Sequence, residues 1–205
     1  MRNLKTWITI LLTSIALSTL GQNSILKELG VGFVIPINPY EFEDLSTPVN
    51  LFKDKALTEK RDSNNVFPFF FKPDYGLYHF ICLDKGKDYF KILANDTEVA
   101  YVPNDGTYFF KTWKAILLES TVERVTDDNP ILEEIGDQDK TIDNSCEFDR
   151  LTVKDVHQKD GQYWLQIYFS SNCEGYPDES GPNIKHGWIK WRVKNNLLVN
   201  ILLLC

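Results

Sequence analysis

The feature that most constrains the fold is a series of short apolar or alternating runs, each closed by a turn signal. They read VNLFKD, LYHFICL, DYFKILA, EVAYVP, KAILLE, PILEEI, RLTVKDV, YWLQIYF, GWIKWR and LLVNILLL. Between them stand DKGKD, NDTE, PNDG, QKDGQ and KNN. Many short strands at such spacing predict an all-β sandwich or barrel. The aromatic content, 13% of the chain, points the same way, because aromatic and β-branched side chains fit a pleated surface. The sharpest hairpin is at Lys159-Asp160-Gly161, where Asp-Gly supplies the positive φ of a tight turn. In GWIKWR, alternation sends Ile189 and Trp191 to one face and Trp188, Lys190 and Arg192 to the other.

The runs form two sets in the same order. Tyr89 to Ile92 corresponds to Trp164 to Ile167, and Tyr101-Val102-Pro103 to Trp188-Ile189-Lys190. Each set opens with a run after Thr47-Pro48 or Asn129-Pro130 and closes with an aliphatic run expected as a strand. A repeat of this length predicts a duplicated domain. The second copy carries an insertion near residues 170–185, rich in Gly, Pro, Ser and Asp, hence a surface excursion.

Residues 1–21 have a basic start, an apolar run from Trp7 to Leu20, and Thr19 and Gly21 as small residues. This is the pattern of a secretory signal peptide cleaved near Gly21, with a run short for a membrane span. The expectation is a secreted or periplasmic protein with no stable membrane span after cleavage. Loss of Arg2 and Lys5 leaves 20 basic against 29 acidic groups, a net −9. Such a field repels phosphate and argues against nucleic-acid binding.

Export permits disulfides. If the hairpin centres on Asp160, Cys146 and Cys173 fall nearly opposite each other, and a cross-strand disulfide is expected. Cys82, inside HFIC, reads as a core thiol, while Cys205 is left as free, paired with Cys82, or bridged to another chain. The cysteine spacings do not suit zinc.

The order P-V-N-L-F, strand, turn, Trp/Tyr-x-Lys/Gln-Ile, turn, Gly-Trp-Ile or Tyr-Val-Pro, strand resembles the bacterial SH3-like domain. The matches are Trp164 to Ile167 and Gly187-Trp188-Ile189. The first copy, Tyr89 to Ile92 and Ala100 to Pro103, lacks the Gly-Trp pair. The resemblance implies a mostly β protein with two small five-stranded SH3-like barrels in tandem after the signal peptide. The expected boundaries are a lead-in at 22–45, barrel 1 at 46–120 and barrel 2 at 121–205. It also implies a non-catalytic module that binds a peptide, a cell-wall fragment or a protein partner and needs no cofactor.

In that frame NNVFPFFFKPDYGLY ends the long first loop, the loop whose aromatics line the ligand groove of SH3-type folds. Phe69, Phe71, Tyr75 and Tyr101 are the candidate binding residues of copy one, Tyr176 and Trp191 those of copy two; inter-domain packing is the competing use of the phenylalanines. A hydrolase would need a Cys at a helix start beside a His. With only His79, His157 and His186, and Cys146 ahead of a strand, no catalytic residue is assigned. Asp137 and Asp139 fit part of a calcium loop, but the remaining ligands do not follow, so no metal is assigned. A second reading is an inhibitor or immunity-type protein whose acidic surface and insertion block a basic partner enzyme; a third is an unrecognised hydrolase.

Overall fold

The computed structural model describes residues 28–38, 50–62, 66–146, 150–173 and 177–203. The expected signal peptide, Tyr176 and Cys205 lie outside them. The protein is mostly β, and all its strand pairs are antiparallel. One sheet contains β1 (Gly32–Pro36), β2 (Phe70–Lys72), β3 (Leu77–Lys85), β4 (Tyr89–Leu93), β5 (Val99–Pro103) and β6 (Tyr108–Thr112). The helix α1 (Trp113–Leu118) follows. The other sheet contains β7 (Thr121–Arg124), β8 (Ile131–Leu132), β9 (Thr141–Ile142), β10 (Leu151–Lys159), β11 (Gln162–Ser170), β12 (Ile184–Val193), β13 (Asn196–Leu197) and β14 (Val199–Leu202).

The strand orders match. The first sheet runs β6-β1-β3-β4-β5, with β2 beside β3. The second runs β14-β7-β10-β11-β12 and continues through β8 and β9. The registers match too. Cys82 faces Ile92 and Asp84 faces Lys91 across a bulge; Val153 faces Ile167 and Asp155 faces Gln166 across the same bulge. Ile92 faces Ala100, and Ile167 faces Gly187. The correspondences read from the sequence therefore hold residue by residue. Val34 and Val122, Leu51 and Ile131, Phe90 and Leu165, and Val102 and Ile189 are matched positions and all are buried.

Three expectations are corrected. KAILLE is helix, not strand. Thr112 Oγ1 caps it by accepting from the Ala115 N–H at 3.2 Å, and Trp113, Ile116 and Leu117 are buried at the i, i+3, i+4 spacing of one helical face. The closing strand of the first set is instead β6. VNLF and PILEE do not open their sets either. They lie in the long first loops and bridge to the fourth strands, Phe52 to Tyr101 and Leu132 to Trp188. The opening strands are β7 and, inside the expected lead-in, β1.

The Asp-Gly hairpin forms as expected, with φ of 52° at Asp160 and 73° at Gly161, and it sets the β10–β11 register. Cys146 and Cys173 are joined, their Cα atoms 5.5 Å apart. Cys82 is a buried thiol. Gly187 stands where the first set has Ala100. A Cβ there would sit 2.6 Å from the Ile131 side chain, so the β8 segment can lie on β12 only because this residue has none.

Two apolar clusters result. One fills the first sheet with Val34, Leu51, Phe80, Cys82, Phe90, Ile92 and Val102. The other draws Phe33, Ile35 and Ile81 from the first sheet's opposite face, Trp113 and Ile116 from α1, and Leu151, Leu165, Ile189 and Trp191 from the second sheet. The two halves thus share one core.

Candidate functional site

The aromatic segment anticipated as a binding surface runs from Val66 through β2 and a 3-10 turn at Pro73–Tyr75. Burying it fully would take the backbone of a loop out of water, and much of it stays exposed. Phe67 is 61% exposed, Tyr75 56%, and Phe69 and Phe71 each 40%. Their inner edges are anchored. Phe69 touches the rings of Phe33, Phe70 and Trp113, Phe71 that of Tyr78 at 5.3 Å, and the Lys72 ammonium lies 4.3 Å from the Tyr75 ring centre. The competing use as packing is met in part by Phe70, which joins the shared core. β2 pairs only with β3 among the described strands, so its outer edge adds backbone donors and acceptors to the ring surface.

The other sequence candidates separate from this patch. Tyr101 sits on β5, its ring 5.6 Å from that of Tyr89, and it is half-buried under the Phe52 bridge. Trp191 is 2% exposed and packs against Trp113 and Tyr163. Alternation in GWIKWR put it on the same face as Ile189; that face is the core, so the expectation of Trp191 as a binding residue is corrected, because core packing leaves it no surface for a ligand.

His79 is the buried titratable group beneath the patch. Its ring lies against Phe33 and Phe70, and its Nδ1 has no hydrogen-bond partner. Burial pushes its pKa down to about 4, with the Lys111 ammonium acting the same way and Glu119 opposing. The imidazole is therefore neutral in the fold but takes up a proton near pH 6.5 when unfolded. Stability is full above pH 6.5 and falls as the pH drops from there towards 4. We expect a loss of roughly 2 kcal/mol over that window, allowing for partial solvent access. His79→Phe should flatten it in urea titrations; an unchanged slope would place the acid sensitivity elsewhere. The carboxylates held low by hydrogen bonds, such as Asp105 and Asp155, lose their contribution only at more acid pH.

His79 and Cys82 point to opposite faces of β3, three residues apart, so this His does not sit beside that thiol. His157 and His186 lie on the outer face of the second sheet, where Asp155 and Glu179 face them. Of the suggested calcium loop, Asp137 is paired with Lys140 at 3.2 Å. No group of three metal-ligating side chains occurs among the described residues. Among these residues no helix is long and apolar enough to cross a membrane.

One feature missed in the sequence is a cleft of about 250 Å³ in the second half, lined by the long β7–β10 loop, Trp164, Lys190, Val193 and Leu198. Its signal was the acidic run of that loop, which reads alone as solvated charge. Comparison with family models, curated proteins and solved structures finds no match.

Proposed function

We propose that the chain is an exported, non-catalytic binding protein of two SH3-like barrels in tandem, which recognises a peptide, a cell-wall fragment or a protein partner. The common strand order and the coincident bulge and register of the two sheets support the duplication. The exported location rests on the N-terminal pattern and is compatible with the Cys146–Cys173 disulfide. The observation that carries the binding function is a run of four aromatics, Phe67, Phe69, Phe71 and Tyr75, each 40–61% exposed along the segment that contains β2, whose outer edge pairs with no other described strand. Patches of this kind mark interaction sites, and an extended ligand would gain from both the rings and the strand edge.

Phe71→Ser with Tyr75→Ser should reduce capture of partner by about tenfold or more, as expected for aromatic anchors. The assay is pull-down from the native envelope with residues 22–205, run beside sedimentation with purified cell wall. Capture that the double variant leaves unchanged would remove the patch from the function. A second reading, an inhibitor of a basic partner enzyme, is favoured by the acid-rich β7–β10 loop.

A further inference from the structure

The cleft in the second half has one wall from the β7–β10 loop, including Asp128 and Pro130, and the other from Val193 and Leu198. Trp164 forms its floor and is 2% exposed. We infer that this cleft takes an extended cationic segment of a protein partner. An apolar residue of that segment enters the cleft, and a neighbouring Lys or Arg faces the acidic loop. This deepens the binding reading above, and rests on it, by naming a second surface and the chemistry of what it holds.

Charge carries the choice of occupant. Between Val125 and Cys146 the chain has seven acidic side chains and one basic, against a net −9 for all of residues 22–205. Most of the excess charge is thus concentrated in the loop that walls the cleft. Asp127 is paired with Arg124 and Asp137 with Lys140. Lys140 also feels Glu133 and Glu134, while Asp128 and Asp139 have no ion pair among the described residues. With seven acids against one base, the loop keeps an excess of negative charge, which steers the approach of a cationic partner. The cleft lining itself holds one acidic residue, Asp128, and one basic residue, Lys190, whose ammonium lies 5.1 Å from the Trp164 ring centre, so the attraction for the partner's cation comes from Asp128 and the rest of the acidic loop.

The wall is also fixed in place. Asn129 is buried, and its amide donates to the carbonyls of Lys190 at 2.8 Å and Leu198 at 3.4 Å. The loop is thereby tied to the sheet before any partner arrives, which lowers the ordering cost of binding.

The test is selection of random dodecapeptides on residues 22–205, with winners titrated by fluorescence anisotropy at low and high salt. Wild type is compared with Val193→Trp, which fills the cleft, and with Glu133→Lys/Glu134→Lys. We expect peptides with Lys or Arg beside an apolar residue, losing about tenfold in affinity on either variant and weakening in salt. Neutral or acidic winners, or cationic winners that bind Val193→Trp unchanged, would overturn the inference. Should Val193→Trp fail to fold by circular dichroism, Asp128→Lys at the exposed rim decides through charge. Winners lost on Phe71→Ser/Tyr75→Ser but kept on Val193→Trp overturn the cleft alone and leave the aromatic patch standing. No winner on wild type overturns both.

Discussion

Serine at both Cys146 and Cys173 should cost about 3.5 kcal/mol of stability, the loop-closure entropy of a cross-link spanning 27 positions. The position of the bridge sets its effect. β10 begins at Leu151 and β11 ends at Ser170, so the cross-link lies beyond the last rung of the hairpin ladder, where the strands would otherwise fray. It also joins the end of the acidic β7–β10 loop to the start of the β11–β12 insertion. Urea unfolding of wild type, reduced wild type and the double Ser variant checks this. The midpoint should fall alike for the last two, by an amount worth roughly 10 °C in Tm. A midpoint unmoved by reduction would mean that the unfolded chain is already constrained in that region. The Asp160-Gly161 turn sets the register without the bridge, so the fold should survive the loss.

That same hairpin shows why part of the structure was legible in the sequence. Asp-Gly demands positive φ at both positions, alternation in YWLQIYF and GWIKWR assigns the faces, and a fixed turn then locates the cysteines. The repeat was legible for a related reason: Ile92 with Ala100 and Ile167 with Gly187 sit at the same rungs, and burial at those rungs selects similar residues. KAILLE was not legible, since Ile116 and Leu117 flanked by charges fit a short strand as well as one helical face, and only the Thr112 cap separates them. VNLF and PILEE resemble opening strands because Leu51 and Ile131 are buried, although the loops deliver them to the core from outside the main ladder. The exposed aromatic segment could be named but not divided. Three adjacent phenylalanines carry no period, and tertiary contacts alone send Phe70 inward and leave Phe69 and Phe71 half out. The cleft needed three segments distant in sequence, the β7–β10 loop, Trp164 and Val193, so no local pattern announces it.

Trp113→Ala should be the most damaging single change, by about 4 kcal/mol for a buried tryptophan. Its ring centre lies 4.5 Å from that of Phe33 in the first sheet and 5.3 Å from that of Trp191 in the second. Its Nε1 donates to the buried Leu29 carbonyl at 2.6 Å. Removing it opens a cavity between the halves and strands that carbonyl. The other named polar tie, Lys114 to Asp155 at 2.7 Å, is exposed, and such pairs contribute at most about 1 kcal/mol. Cooperativity between the halves therefore depends on the shared apolar cluster, with Trp113 at its centre. Calorimetry should show one transition for wild type and two for Trp113→Ala, the second sheet retaining its disulfide and melting last. Trp113→Phe keeps most of the contact area but loses the hydrogen bond, so it should cost less, about 2 kcal/mol, and preserve the single transition. If Trp113→Ala still unfolds in one step, the coupling lies in the direct approach of the first sheet's outer face, Phe33, Ile35 and Ile81, to the second-sheet core. In that case the two sheets would be one folding unit even without their aromatic link.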